Sequence, residues 1–268
     1  MVAYRAGKLA DLRARVAGLE GSGRQGGRGL PFGDARIDGA FPQGGLPLGQ
    51  WHEFTGEGME GETCAAPAAL ASLMAAPLMA SAEGGGEAVW ILRRGDLFGP
   101  GLAGLGFPVD RLIQVCARNG AEVLAVAEDA LTTAGVAVVL AEVEGLDLVA
   151  GRRLQLACEK HGATGFMIHR RPHGRSAGAG QKTGGSAAAT RWRIAQAASE
   201  AGPGGLGLGP PRWRAHLERC RGGRTGAWLL EARNAYTCED THGAHALRLV
   251  AELGDQRLVP AAHLRLAG

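Results

Sequence analysis

The sequence predicts an α/β protein: a largely parallel β-sheet flanked by helices, with an N-terminal helix and a C-terminal β-hairpin. Three observations carry this. From about residue 35 to residue 169, short apolar runs alternate with longer segments of helical character. GVAVVLA (135–141) is a run of β-branched and apolar residues, as in a strand buried on both faces. Hydrophobic residues make up 46% of the 268 residues, enough for a sizeable core and too many for a disordered chain.

Taken in order, residues 4–20 read as an amphipathic helix. Leu9, Leu12, Val16 and Leu19 recur at helical spacing, with Lys8, Asp11, Arg13 and Arg15 between them. That apolar stripe needs a partner, either the chain's own core or another protein. GSGRQGGRGLPFGD (21–34) follows as a glycine- and arginine-rich linker. Residues 1–34 therefore form an appendage, and 35–268 one domain. WHEFT (51–55) is a strand and residues 64–80 an Ala-rich helix. Thr63 to Ala82 carries no charge, but it is mostly alanine, with Pro67 and Pro77 inside. It reads as a buried helix rather than a membrane span.

EAVWILR (87–93) and LIQVC (112–116) are strands, AEVLAVAEDALTT (121–133) a helix, GVAVVLA a strand, 151–161 a helix, and ATGFMIH (163–169) another buried strand. Residues 170–190 read as a flexible basic loop, without a large apolar residue. RWRIAQA (191–197) alternates like a strand. PRWRAHLER and GAWLLEA form a β-hairpin about a CRGGRT turn, and ALRLVAEL (246–253) closes a C-terminal β region at 211–255.

Charge and cysteines exclude several classes. Lys plus Arg total 29 and Asp plus Glu 26, a net +3 that does not by itself imply nucleic-acid binding. The five cysteines form no CxxC pair, which disfavours a zinc site and a disulfide framework. His52, His169, His173 and His216 lack metal-ligand spacing, and His242 and His245 have no third ligand nearby. The charged N-terminus lacks a signal-peptide apolar region, so a cytoplasmic protein without membrane attachment is expected.

The sharpest local motif is the glycine-rich stretch after WHEFT. Gly56, Gly61 and Thr63 meet the fixed positions of a phosphate loop, G-x-x-x-x-G-K-[ST], but Glu62 replaces the lysine. With 45 glycines, a bare G-x-x-x-x-G arises roughly seven times by chance, so the flanking strand and helix give the motif its weight. Glu62 would repel the phosphates that the lysine attracts, and Glu57 and Glu60 add to it. A charge pair at 4 Å is worth about 4 kcal/mol at an effective dielectric of 20, so the reversal costs several. A carboxylate there can instead cap the helix dipole. Leu140 stands where a magnesium-binding acid would end its strand, and Arg93 and Arg94 where a water-activating carboxylate is wanted. Glu142 and Glu144 follow in the connection and read as solvated. No cofactor is expected; ATP with magnesium enters only under the alternative reading below.

The order GGLPLGQWHEFTGEGMEGET, EAVWILRRGDLFGPGLAGLGFPVDRLIQV, GVAVVLAEVEGLDL and GATGFMIHRRP resembles the RecA core. With PRWRAHLERCRGGRTGAWLLEA it more closely resembles the ImuA family of RecA-like, damage-inducible mutagenesis proteins. The resemblance covers about residues 1–255. It implies a RecA-like fold and a role in DNA-damage-induced (SOS) mutagenic translesion synthesis, beside the polymerase-like partner ImuB and an error-prone DNA polymerase. Gly56, Gly61 and Thr63 match RecA's phosphate loop, whereas Glu62, Leu140 and Arg94 depart from its active residues. The connection from Glu142 to Gly151 is too short for RecA's first DNA-binding loop.

A second DNA element is retained. Lys160 through Ser199 contains no Asp or Glu, while Lys160, Arg170, Arg171, Arg175, Lys182, Arg191 and Arg193 fall inside. In the RecA-like layout this loop faces DNA, and a flexible basic loop suits single-strand phosphates. Trp192, in an alternating strand, reads as core. The expectation is a non-catalytic adaptor that holds partner proteins, and single-stranded DNA through Arg170, Arg171, Arg175, Lys182, Arg191 and Arg193. One alternative is a DNA-dependent ATPase in which Lys182, Arg93 or Arg94 replaces the missing lysine. Another is a regulator of RecA filaments or cell division without DNA contact.

Overall fold

The structure is a computed structural model that describes residues 28–58, 65–80, 85–170, 187–200, 208–233 and 247–254. The expected N-terminal helix at 4–20 lies outside these residues. The chain enters through β1 (Gly29–Leu30), which pairs antiparallel with β2 (Leu46–Pro47). Between them, Asp34 caps a short helix, α1 (Ala35–Asp38), its carboxylate accepting the Arg36 N–H at 3.0 Å. Phe32 stacks on Phe41 at 5.7 Å and both are buried, so packed structure begins ahead of residue 35.

β3 (Trp51–Gly56) leads to α2 (Ala65–Met79), then β4 (Glu87–Leu92), α3 (Gly99–Gly104) and β5 (Leu112–Cys116). α4 (Gly120–Leu131) precedes β6 (Val136–Val143), and α5 (Leu148–His161) precedes β7 (Thr164–His169). Asn119 and Asp147 cap α4 and α5 by accepting the N–H groups of Glu122 (2.9 Å) and Ala150 (2.7 Å). Gly162, at φ +77°, ends α5 in the left-handed region that favours glycine. β8 (Thr190–Ala197), β9 (Arg212–Cys220), β10 (Gly226–Ala232) and β11 (Leu247–Glu252) complete the chain.

The main sheet has nine strands in the order β11-β10-β9-β8-β3-β7-β6-β4-β5. From β5 to β8 every neighbouring pair is parallel, and β8 to β11 form an antiparallel meander. This is the expected α/β architecture with a largely parallel sheet, consistent with a RecA-like core.

Alternation of side chains divides the core between the two sheet faces. Phe54, Leu140, Ile168 and Trp192 pack with α2 in one cluster; Trp51, Val139, Ala141 and Met167 pack with α4 and α5 in the other. α2 is apolar nearly all round because it is covered nearly all round: Leu70, Leu73, Met74 and Met79 are inaccessible. Among the described residues no helix is long and apolar enough to cross a membrane. Trp192 is fully buried, among Phe32, Phe41, Phe54 and Trp228.

Candidate functional site

In an open parallel sheet, ligands bind outside the carboxyl ends of the strands. Here that rim is made by the ends of β3, β4, β6 and β7. β3 finishes at Gly56, where the phosphate-loop motif begins. The Glu57 N–H continues the pairing, donating to the Ile194 carbonyl at 2.8 Å, and Gly58 turns the chain at φ +89°. Gly61, Glu62 and Thr63 lie outside the described residues; α2 resumes at Ala65. Strand and helix thus flank the loop as the motif requires. Glu57 is not an unopposed negative charge, because Arg193 Nη1 lies 3.6 Å from its carboxylate.

The structure corrects the reading of Glu142. It does not sit solvated in a connection. β6 runs on to Val143, and Glu142, on the α2 face, is only 3% exposed. One carboxylate oxygen accepts the Arg93 backbone N–H at 2.9 Å, and the other meets Arg170 Nη1. Arg170 Nη2 also reaches Asp96 at 2.7 Å. Burial raises the Glu142 pKa, an effect that the Arg93 N–H and Arg170 only partly offset. Burial pushes Asp96 up as well, but there the Arg170 guanidinium outweighs it and the net shift is downward.

A second cluster lies on the opposite face of the same rim. Glu53, 6% exposed, accepts from His169 Nε2 at 2.8 Å and from Arg191 Nε at 2.9 Å. Burial would lift its carboxyl, but His169 and Arg191 together win and hold it at about 2, against an ordinary 4.5. His52, also buried, is pushed down to about 4, by burial first. Its Nε2–H donates to the Pro47 carbonyl at 2.9 Å, while Nδ1 accepts from Thr190 Oγ1 at 2.8 Å. It is a neutral structural link between β3 and β8.

Three of the six basic residues assigned to DNA are therefore engaged by carboxylates. Arg170 pairs with Glu142 and Asp96, Arg191 with Glu53, and Arg193 with Glu218 (2.7 Å) and Glu57. Arg171, Arg175 and Lys182 lie outside the described residues. Glu53, His169 and Asp96 were missed as partners. A charged residue inside a strand buried on both faces, as in WHEFT, is a signal that a partner must exist, though not which one. Among the described residues no group of three or more His, Cys, Asp or Glu side chains is placed to hold a metal ion.

No family model matches the chain. Over 233 residues it is 56% identical to Protein ImuA of Caulobacter vibrioides, both in strain NA1000 / CB15N and in strain ATCC 19089 / CIP 103742 / CB 15. The match covers 87% of this chain and 93% of each relative. At that identity and coverage, with the expected largely parallel sheet and flanking helices in place, the chain belongs to the ImuA family.

Proposed function

We propose that this protein is a non-catalytic, RecA-like accessory factor of DNA-damage-induced mutagenic translesion synthesis. It acts by holding an ImuB-like polymerase homologue and an error-prone DNA polymerase. The observation that supports a scaffold over an ATPase is the Glu142–Arg170–Asp96 cluster. Leu140 fills the position of the magnesium-binding acid, and Glu142, two residues further along the same face of β6 and the carboxylate nearest to replacing it, is already bound by a guanidinium from the end of the next strand. A fixed internal cation then stands where a metal-nucleotide site needs a free acid, and Glu62 removes the loop's positive charge.

Single-stranded DNA binding falls to Arg171, Arg175 and Lys182, since Arg170, Arg191 and Arg193 serve the fold. With about three phosphate contacts, log affinity falls with log salt at a slope near −2. The triple alanine variant at those positions abolishes that slope. A flat salt response in the parent favours instead a regulator without DNA contact.

One observation favours the ATPase reading. Arg93, at the same rim, has Nε and Nη1 buried without a hydrogen-bond partner among the described residues, leaving donors for an anion. ATP binding and hydrolysis, measured with and without single-stranded DNA and the ImuB-like protein, decide between the two. No binding in any condition supports the scaffold. Turnover that disappears in Arg93→Ala establishes the ATPase and removes the proposal made here.

A further inference from the structure

The nine-stranded sheet ends on two unlike edges. β11 exposes Arg248 and Glu252, and its pairing with β10 shifts register between Leu229 and Leu230. Charges and bulges of this kind blunt an edge against further pairing. β5 carries none of them. Leu112–Cys116 contains no charge and no proline, its register with β4 is regular, and Ile113, Gln114 and Cys116 are exposed. The Ala117 N–H donates inward, to the Leu92 carbonyl at 2.9 Å. Alternation along the strand therefore turns the backbone N–H and C=O groups of Gln114 and Cys116 outward. Among the described residues no strand pairs with that side.

This edge is complementary to itself. An antiparallel copy related by a two-fold axis at Gln114 sets Ile113 against Val115 and Leu112 against Cys116, with Gln114 facing Gln114. Ile113 is opposite Val89 on β4, which places the Ile113–Val115 contacts on the face covered by α4. Beyond the strand, the same axis brings the Asp110 end of one copy to the Arg118 end of the other. Asp110 is exposed, and the Arg118 side chain is 87% exposed and pairs with Glu122 in its own chain. Apolar residues thus meet apolar ones and opposite charges approach twice. A closed two-fold contact needs that self-complementarity; an unrelated extended peptide would have no reason to find it.

We propose that β5 joins two copies of this chain in a two-fold dimer with one continuous sheet running through both. The partner of this edge is the protein itself.

Sedimentation velocity on the full chain over a concentration series tests this. Gln114→Pro removes an N–H that points outward and leaves the ladder to β4 intact, because proline is tolerated on an edge strand in that orientation. The parent is expected to dimerise, and Gln114→Pro to weaken the dimer by about tenfold or more with an unchanged far-UV spectrum. Asp110→Arg and Arg118→Asp each weaken it several-fold, more at low salt, and the double reversal restores it. These two sites are exposed, so the charge swap remains decisive even where the proline variant fails to fold. A parent that stays monomeric at the highest concentration, or a dimer indifferent to both Gln114→Pro and the charge swap, overturns the proposal.

Discussion

His169 and Arg170 are consecutive residues at the end of β7, yet they serve opposite faces of the sheet. His169 turns to Glu53 under the α5 side, and Arg170 turns to Glu142 under α2. Both glutamates are buried, but their carboxyls shift in opposite directions, Glu53 down to about 2 and Glu142 up. The difference lies in the kind of donor each commands rather than the number. Glu53 has two side-chain donors, one for each oxygen, and Arg191 binds it from the neighbouring strand β8. Glu142 has the backbone N–H groups of Arg93 and Arg94 and a guanidinium that it shares with Asp96, whose own negative charge raises the Glu142 pKa further. Burial alone raises a carboxyl; whether the sign reverses depends on how completely the charged form is solvated by fixed donors.

The largest expected effect comes from breaking the more weakly served cluster. Arg170→Ala strips the buried Glu142 carboxylate of its guanidinium and should lower stability by about 3–5 kcal/mol, read from urea melts. Glu142→Gln on that background should recover much of the loss, because the penalty is that of an uncompensated buried charge.

Next comes acid. Glu53 is depressed from 4.5 to about 2, so its contribution is fully present above pH 4.5 and is lost as pH falls from there toward 2. That contribution is on the order of 3 kcal/mol. Thermal melts across this window should show a steep acid limb that Glu53→Gln flattens. Glu142, shifted the other way, favours its protonated form on folding, so Glu142→Gln should leave the limb in place. The smallest effect is at Arg193, whose pairs with Glu218 and Glu57 are more than a third exposed. Arg193→Ala should cost under about 1 kcal/mol in the same urea melts.

The strands were legible because burial on two faces writes itself as an apolar run. LIQVC is β5 residue for residue, and the hairpin of β9 and β10 follows from alternation about a CRGGRT turn. The end of β6 was not legible for the same reason. The apolar run GVAVVLA stops at Ala141, and a glutamate at 142 reads as solvent, although pairing continues through Val143 opposite His169. The candidate site was less legible still. Within 160–199 there are seven basic residues and no acid, which looks like a surface for phosphate. Yet Arg170 finds its acids 28 and 74 residues away, and Arg191 finds Glu53 138 residues away.

Composition, periodicity and motif order determined by themselves the α/β class, the place of the strands, the core position of Trp192 and the departure at Glu62, because each depends on neighbours in the chain. Only the tertiary structure decided which charges are spent within the protein. Ion pairs form between residues that the sheet brings side by side from distant parts of the sequence, and a local count of charge carries no information about them.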